Sequence, residues 1–183
     1  MKYSYIDAYE DLLKQCLFIP DLVTKSANKE LRFLGDFNQW LLDTEEVMKK
    51  YNISKCAEIA GLRSKIIAAS YATDPKISKK KRQLSVATSI IYEAQNTVLS
   101  VLEPMEGRIA EARNAIRQLL GVAYQSNMTN RHMNFNQMIR KLWADFSAHE
   151  QLKGAIASIL VLVNQSDALR MLAEEIDMSM LGR

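Results

Sequence analysis

The sequence predicts an all-α protein: a helical bundle of about six to seven helices built around a long central helix, kinked or restarted at Pro104. Two observations carry this prediction. Between Leu84 and Ala123 the apolar residues Leu84, Ala87, Ile91, Ala94, Val98, Val101, Met105, Ile109, Ala112, Ile116, Leu119 and Ala123 recur at steps of three and four, the spacing of a helix seam that faces other helices. The 183 residues also hold only six Gly and three Pro, too little turn material for a many-stranded sheet. With 48% hydrophobic and 25% charged residues, a chain of this length buries a sizeable core without a disulfide or a metal staple.

Taken in order, Ile6, Tyr9, Leu12, Leu13, Cys16 and Leu17 share one face of a first helix over Tyr5 to Ile19, which Pro20 ends while opening the next. From Asp21 the positions Leu31, Leu34, Phe37, Trp40 or Leu41, Val47 or Met48, and Tyr51 give a second long helix that closes near Lys49, Lys50 and Asn52. Ser54 reads as the N-cap of a third, with Ile59, Leu62, Ile66, Ala69 and Ala72 inward. Thr73, Asp74 and Pro75 break it ahead of a basic segment and the central helix. Around Pro104 the seam takes two four-residue steps (Val101, Met105, Ile109), so register and backbone hydrogen bonding are both interrupted there.

Gly121 and the polar run Ser126 to Arg131 end the central helix. That run divides the chain into a helical bundle over residues 1–125 and a C-terminal helical segment over 126–183, packed on the same core. Met138, Ile139, Leu142 and Phe146 line the next helix, which carries Trp143. Ala155 to Val163 is apolar on so many sides that burial all round is expected. Ser166 or Asp167 caps a last helix with Leu169, Leu172, Ala173 and Ile176 inward. Trp40 and Trp143 both read as core residues.

Little in the sequence speaks for catalysis. His149 has Asp145 one turn before it, but no second His or Cys stands at ligand spacing, and His132 has no nucleophile beside it. Small helical ribonucleases pair an Arg with a nearby His; Arg140 and His149 are too far apart and lie on different helix faces. No Glu-x-x-His motif, phosphate loop or zinc spacing is present. No catalytic residue, metal site or cofactor is therefore assigned, and the protein is expected not to be an enzyme. Cys16 and Cys56 lack metal-ligand spacing, and Met1 and Lys2 lead at once to Asp7, Glu10 and Asp11, so a reduced cytoplasmic protein with no transmembrane helix is expected.

The sharpest feature is a run of cations, Lys76, Lys79, Lys80, Lys81 and Arg82, at the start of the central helix, where the positive end of the helix dipole disfavours them. A phosphate backbone suits such a cluster, because adjacent Lys and Arg release counterions from it without reading sequence. Arg113 and Arg117, one turn apart, are grouped with it; pairing with Glu106 and Glu111 is their structural alternative. No aromatic residue is interleaved with the cluster to stack on bases. The tail from Asp167 to Asp177 holds four acids against one Arg, a segregation that suits a subunit meeting other proteins or copies of itself.

The resulting expectation is a non-catalytic helical accessory or scaffold subunit of a macromolecular assembly that contacts nucleic acid, DNA or RNA, through the basic cluster and associates with itself or a protein partner. A protein-only helical adaptor or oligomerisation module and a small helical ribonuclease are the alternatives.

Overall fold

The computed structural model describes residues 3–71, 77–125 and 134–177, and among them every regular element is a helix. There are eight: α1 (Tyr5–Leu17), α2 (Ile19–Ala27), α3 (Phe33–Lys50), α4 (Cys56–Ala68), α5 (Lys79–Gln125), α6 (Phe135–Ala148), α7 (Lys153–Leu162) and α8 (Gln165–Glu175). The chain divides into two compact units, Ala8–Pro104 and Met1–Asp7 with Met105–Arg183. The boundary run at 126–131 and the break at 73–75 lie outside the described residues.

The expected second helix is two helices. After Ala27 the chain passes through Asn28 to Lys29, whose φ of 55° is left-handed. The Glu30 N–H then reaches back to the Lys25 carbonyl at 3.0 Å and closes a Schellman end. Tyr51, Asn52 (φ 52°) and Ile53 repeat the device after α3, with Ile53 N–H on the Met48 carbonyl at 2.8 Å. Leu31 belongs to the first of these turns and is 84% exposed, so the inward stripe of α3 starts instead at Phe33 and continues through Phe37, Trp40, Leu41 and Met48. Phe33 stacks on Phe37 at 5.7 Å and Phe37 on Trp40 at 5.8 Å, while the Trp40 indole N–H donates to the Gln15 carbonyl at 2.9 Å.

In the same unit α4 packs on α3 and buries Ile59, Leu62 and Ile66, as expected. Its N-cap position falls on Lys55, which makes no side-chain cap, and not on Ser54. The nearly buried Glu45 carboxylate ties the two helices, accepting from Arg63 at 3.1 Å and from Lys49. Asp11 on α1 accepts from the Tyr51 hydroxyl at 2.6 Å, Lys50 at 2.9 Å and Lys14 at 3.0 Å. These donors hold both acids below the usual carboxylate range: chiefly Lys49 for Glu45, and Tyr51 followed by Lys50 for Asp11.

Helix α5 runs 47 residues with Pro104 inside it and no restart. Its buried stripe is Ala87, Ile91, Ala94, Val98, Leu102, Met105, Ala112, Ile116, Leu119 and Ala123. Leu102 takes the inward position expected of Val101, so the successive four-residue steps fall at Ala94, Val98 and Leu102, ahead of the proline instead of across it. Pro104 lacks the N–H that would bond the Ser100 carbonyl, but both residues lie on the exposed side of the helix, where an orphaned acceptor costs least. Gly121 lies within the helix, which continues to Gln125.

The second unit packs Ile6 and the later half of α5 against α6, α7 and α8 around Phe146, Trp143, Leu142, Ile159 and Met171. Asn134 caps α6, accepting from Gln137 N–H at 2.9 Å, and Asn164, in place of Ser166 or Asp167, caps α8, accepting from Asp167 N–H at 2.8 Å. Asp167, 2% exposed, serves another helix: its two carboxylate oxygens accept from the Ser4 hydroxyl and the Tyr5 N–H, each at 2.6 Å. Ser4 in turn accepts from Asp7 N–H at 3.0 Å, the N-cap bond of α1. Contrary to expectation, α7 is not buried all round; Ile156, Ile159 and Val163 face inward, but Val161 is 77% exposed and Leu160 37%.

Two outcomes follow for stability. Asp167→Ala strips partners from the first turn of α1 and lowers unfolding stability by about 2–3 kcal/mol in urea titrations, with Asp167→Asn recovering part of it; a wild-type midpoint for the Ala variant shows that the buried carboxylate carries no weight. The lowered pKa values of Glu45 and Asp11 make a contribution that is complete above about pH 5.5, where the unfolded carboxylates are ionised, and that is lost as pH falls through the lower folded values. Urea midpoints measured from pH 7 to pH 3 therefore drop only in the acidic part of the range, and Glu45→Gln flattens the drop.

Candidate nucleic-acid interface

The basic cluster sits where α4 hands over to α5. The last turn of α4 leaves carbonyls without intrahelical donors, and residues of α5 supply them. Arg82 Nε donates to the Ala69 carbonyl at 3.2 Å and its Nη1 to the Ile77 carbonyl, while Gln83 Nε2 reaches the Ile66 carbonyl at 3.4 Å. Arg82, one of the expected phosphate ligands, is thus committed to the fold. Ser78 caps α5: its hydroxyl accepts from Lys81 N–H at 3.4 Å and its carbonyl from Arg82 N–H at 3.1 Å.

Lys79, Lys80 and Lys81 differ from Arg82. All three are exposed, the first turn of α5 contains no acidic residue, and among the described residues none of the three forms an ion pair. Three like charges at the positive end of a 47-residue helix cost the helix free energy, about 0.3–1 kcal/mol each, that nothing described there returns. Lys76 lies outside the described residues.

The structure also places an aromatic ring beside the lysines, which the sequence order conceals. Tyr71, in the turn that follows α4, is 77% exposed, and the Lys79 ammonium lies 6.0 Å from its ring centroid. A surface hollow of about 420 Å³ is lined by Ala69, Ile77, Lys81, Arg82, Ser85 and Val86. The only hint in the sequence was a tyrosine eight residues ahead of Lys79.

Arg113 and Arg117 belong to the other compact unit and are neutralised within it. Arg113 bridges Glu174 at 2.7 Å and Glu175 at 3.1 Å, and Arg117 reaches Glu175 at 2.6 Å. Their partners are therefore these two glutamates at the C-terminal end of α8, where the dipole disfavours negative charge, and not Glu106 or Glu111. The Glu175 carboxyl is held below the usual carboxylate range, Arg117 first and Arg113 second among the donors responsible. The acidic tail is consumed by the same network: Glu174 also accepts from Arg170, and Asp167 caps α1.

Nothing described assembles a catalytic constellation. His149 is the C-cap residue of α6, its N–H on the Asp145 carbonyl at 3.1 Å, and His132 lies outside the described residues. Among the described residues no three His, Cys, Asp or Glu side chains come close enough to hold a metal ion. Cys16 and Cys56 are unpaired thiols, both half-buried. No single described helix is long and apolar enough to cross a membrane; α7 and α8 pass that test only as a pair, and they are bent by 109°. No protein-family model, curated protein or solved structure matches the chain.

Proposed function

We propose that this protein is a non-catalytic accessory subunit of a macromolecular assembly, and that it holds nucleic-acid phosphates on Lys79, Lys80 and Lys81. One observation carries the reading: among the described residues these three cations crowd one exposed helix turn without a carboxylate partner, whereas the other described cations without one, Lys29, Arg32, Arg108, Arg140 and Lys141, are dispersed singly or as one pair, and Lys25, Lys50, Lys65, Arg63, Arg113 and Arg117 are all paired. A polyanion supplies the missing counter-charge and gains counterion release in return. Arg82, Arg113 and Arg117 are assigned to the fold in this proposal. The free cysteines support a reducing, cytoplasmic setting.

The test is a salt titration. The wild-type chain binds unlabelled-sequence oligonucleotides with an affinity that falls steeply with salt. Replacing Lys79, Lys80 and Lys81 together by Ala weakens binding and lowers the slope of log K against log salt by about 2 to 3. An unchanged slope, or no binding by the parent, removes the proposal.

A protein-only adaptor or oligomerisation module is favoured by a different observation, the apolar outer face of α7. Val161 and Leu160 stand in solvent beside a hollow of about 260 Å³ that Tyr3, Tyr5 and Arg108 help to line. If copies of the chain meet there, sedimentation velocity shows a concentration-dependent mass that Val161→Glu reduces to the monomer. A wild-type chain that stays monomeric through the micromolar range eliminates the oligomerisation form of this reading.

A further inference from the structure

We infer that the nucleic acid held at this site is single-stranded and that Tyr71 is the platform for one of its bases. The inference rests on the phosphate-binding reading above and adds to it the chemistry of the strand. Tyr71 is 77% exposed, so its ring contributes almost no buried area to the fold. Its one described ring contact is the Lys79 ammonium at 6.0 Å, the outer limit of a cation–π contact, which leaves ring surface bare and fixes a cation beside it.

A bare ring next to adjacent lysines is the pairing that single-strand sites use. Phosphates lie along the cations and bases stack on the aromatic face, with little sequence preference because every base has a π-face. A duplex gains nothing from Tyr71, since its bases are already stacked on one another; only an unpaired base offers a free face. A surface hollow of about 420 Å³ lined by Ala69, Ile77, Val86 and Lys81 provides a second place for a base next to a phosphate ligand. Ile77 is 39% exposed at its rim. Ring, hollow and lysines thus offer both apolar and cationic surface to one strand.

The experiment compares fluorescence-anisotropy titrations of the full chain with labelled oligo-dT, oligo-rU and a duplex of equal length, each at several salt concentrations. Both single strands bind more tightly than the duplex. Tyr71→Ala weakens single-strand binding by about fivefold or more without changing the salt slope, Tyr71→Phe retains the affinity, and neither variant alters duplex binding. Ile77→Asp, which places a charge at the rim of the hollow, also weakens the single strands selectively. Equal affinity for duplex and single strand, together with no effect of Tyr71→Ala, overturns the inference while a lysine-dependent salt slope leaves the phosphate reading standing. Loss of the slope's dependence on Lys79, Lys80 and Lys81 overturns both. Circular dichroism of each variant confirms that these surface changes leave the helices intact.

Discussion

The carboxylate of Asp167 joins α8 to the first turn of α1. It lies in the first turn of α8, and its oxygens accept from Ser4 and Tyr5 at the first turn of α1, so one buried negative charge serves two helix N-termini. Each terminus presents N–H groups that no intrahelical acceptor can meet and a partial positive charge that favours an anion. Asn164 reinforces the junction, donating from its side chain to the Tyr3 carbonyl at 2.8 Å while it caps α8, and Arg170 bridges to Asp7 at 3.1 Å. Residues 3–7 are fixed by partners more than 150 positions away in sequence, and Ile6 joins the core of that unit.

The long helix α5 contributes a buried stripe to each of the two units, which adjoin in sequence at Pro104. A straight helix drifts relative to a seven-residue repeat, and an extra four-residue step corrects the phase. That step is taken at Leu102, just ahead of the proline. Pro104 and Ser100 then fall on the solvent side, where the missing hydrogen bond costs least and the helix need not stop.

Charge is used in two ways in this molecule. Most ionic side chains close local accounts of dipole and hydrogen bonding: Glu45 between Arg63 and Lys49, Asp11 beneath Tyr51 and Lys50, Glu174 and Glu175 against Arg113 and Arg117. Arg82, although it belongs by sequence to the basic run, serves the carbonyls of Ala69 and Ile77. Lys79, Lys80 and Lys81 have no such partner among the described residues, and they differ from the other cations without one, Lys29, Arg32, Arg108, Arg140 and Lys141, in crowding a single helix turn, with the exposed Tyr71 beside Lys79. This contrast is what supports a polyanionic partner, since a general excess of positive charge, only +3 overall, argues for very little.

Much of the fold was legible in the sequence because helical periodicity is a local property. The three-and-four spacing of α5, the inward faces of α4 and α6, and the burial of Trp40 and Trp143 could all be read from neighbouring residues. The break between α2 and α3 was not legible, because a lysine, with no glycine to announce it, adopts the left-handed conformation there. Nor was the exposure of α7, whose composition is apolar on every side while its neighbours cover only one. The sequence by itself determined the helical class and the presence of a basic cluster. Only the tertiary structure decided which cations are spent, bringing Glu174 and Glu175 to Arg113 and Arg117, the carbonyls of Ala69 and Ile77 to Arg82, and Tyr71 to Lys79. Neutralisation depends on distances between residues far apart in the chain, and composition carries no record of those distances.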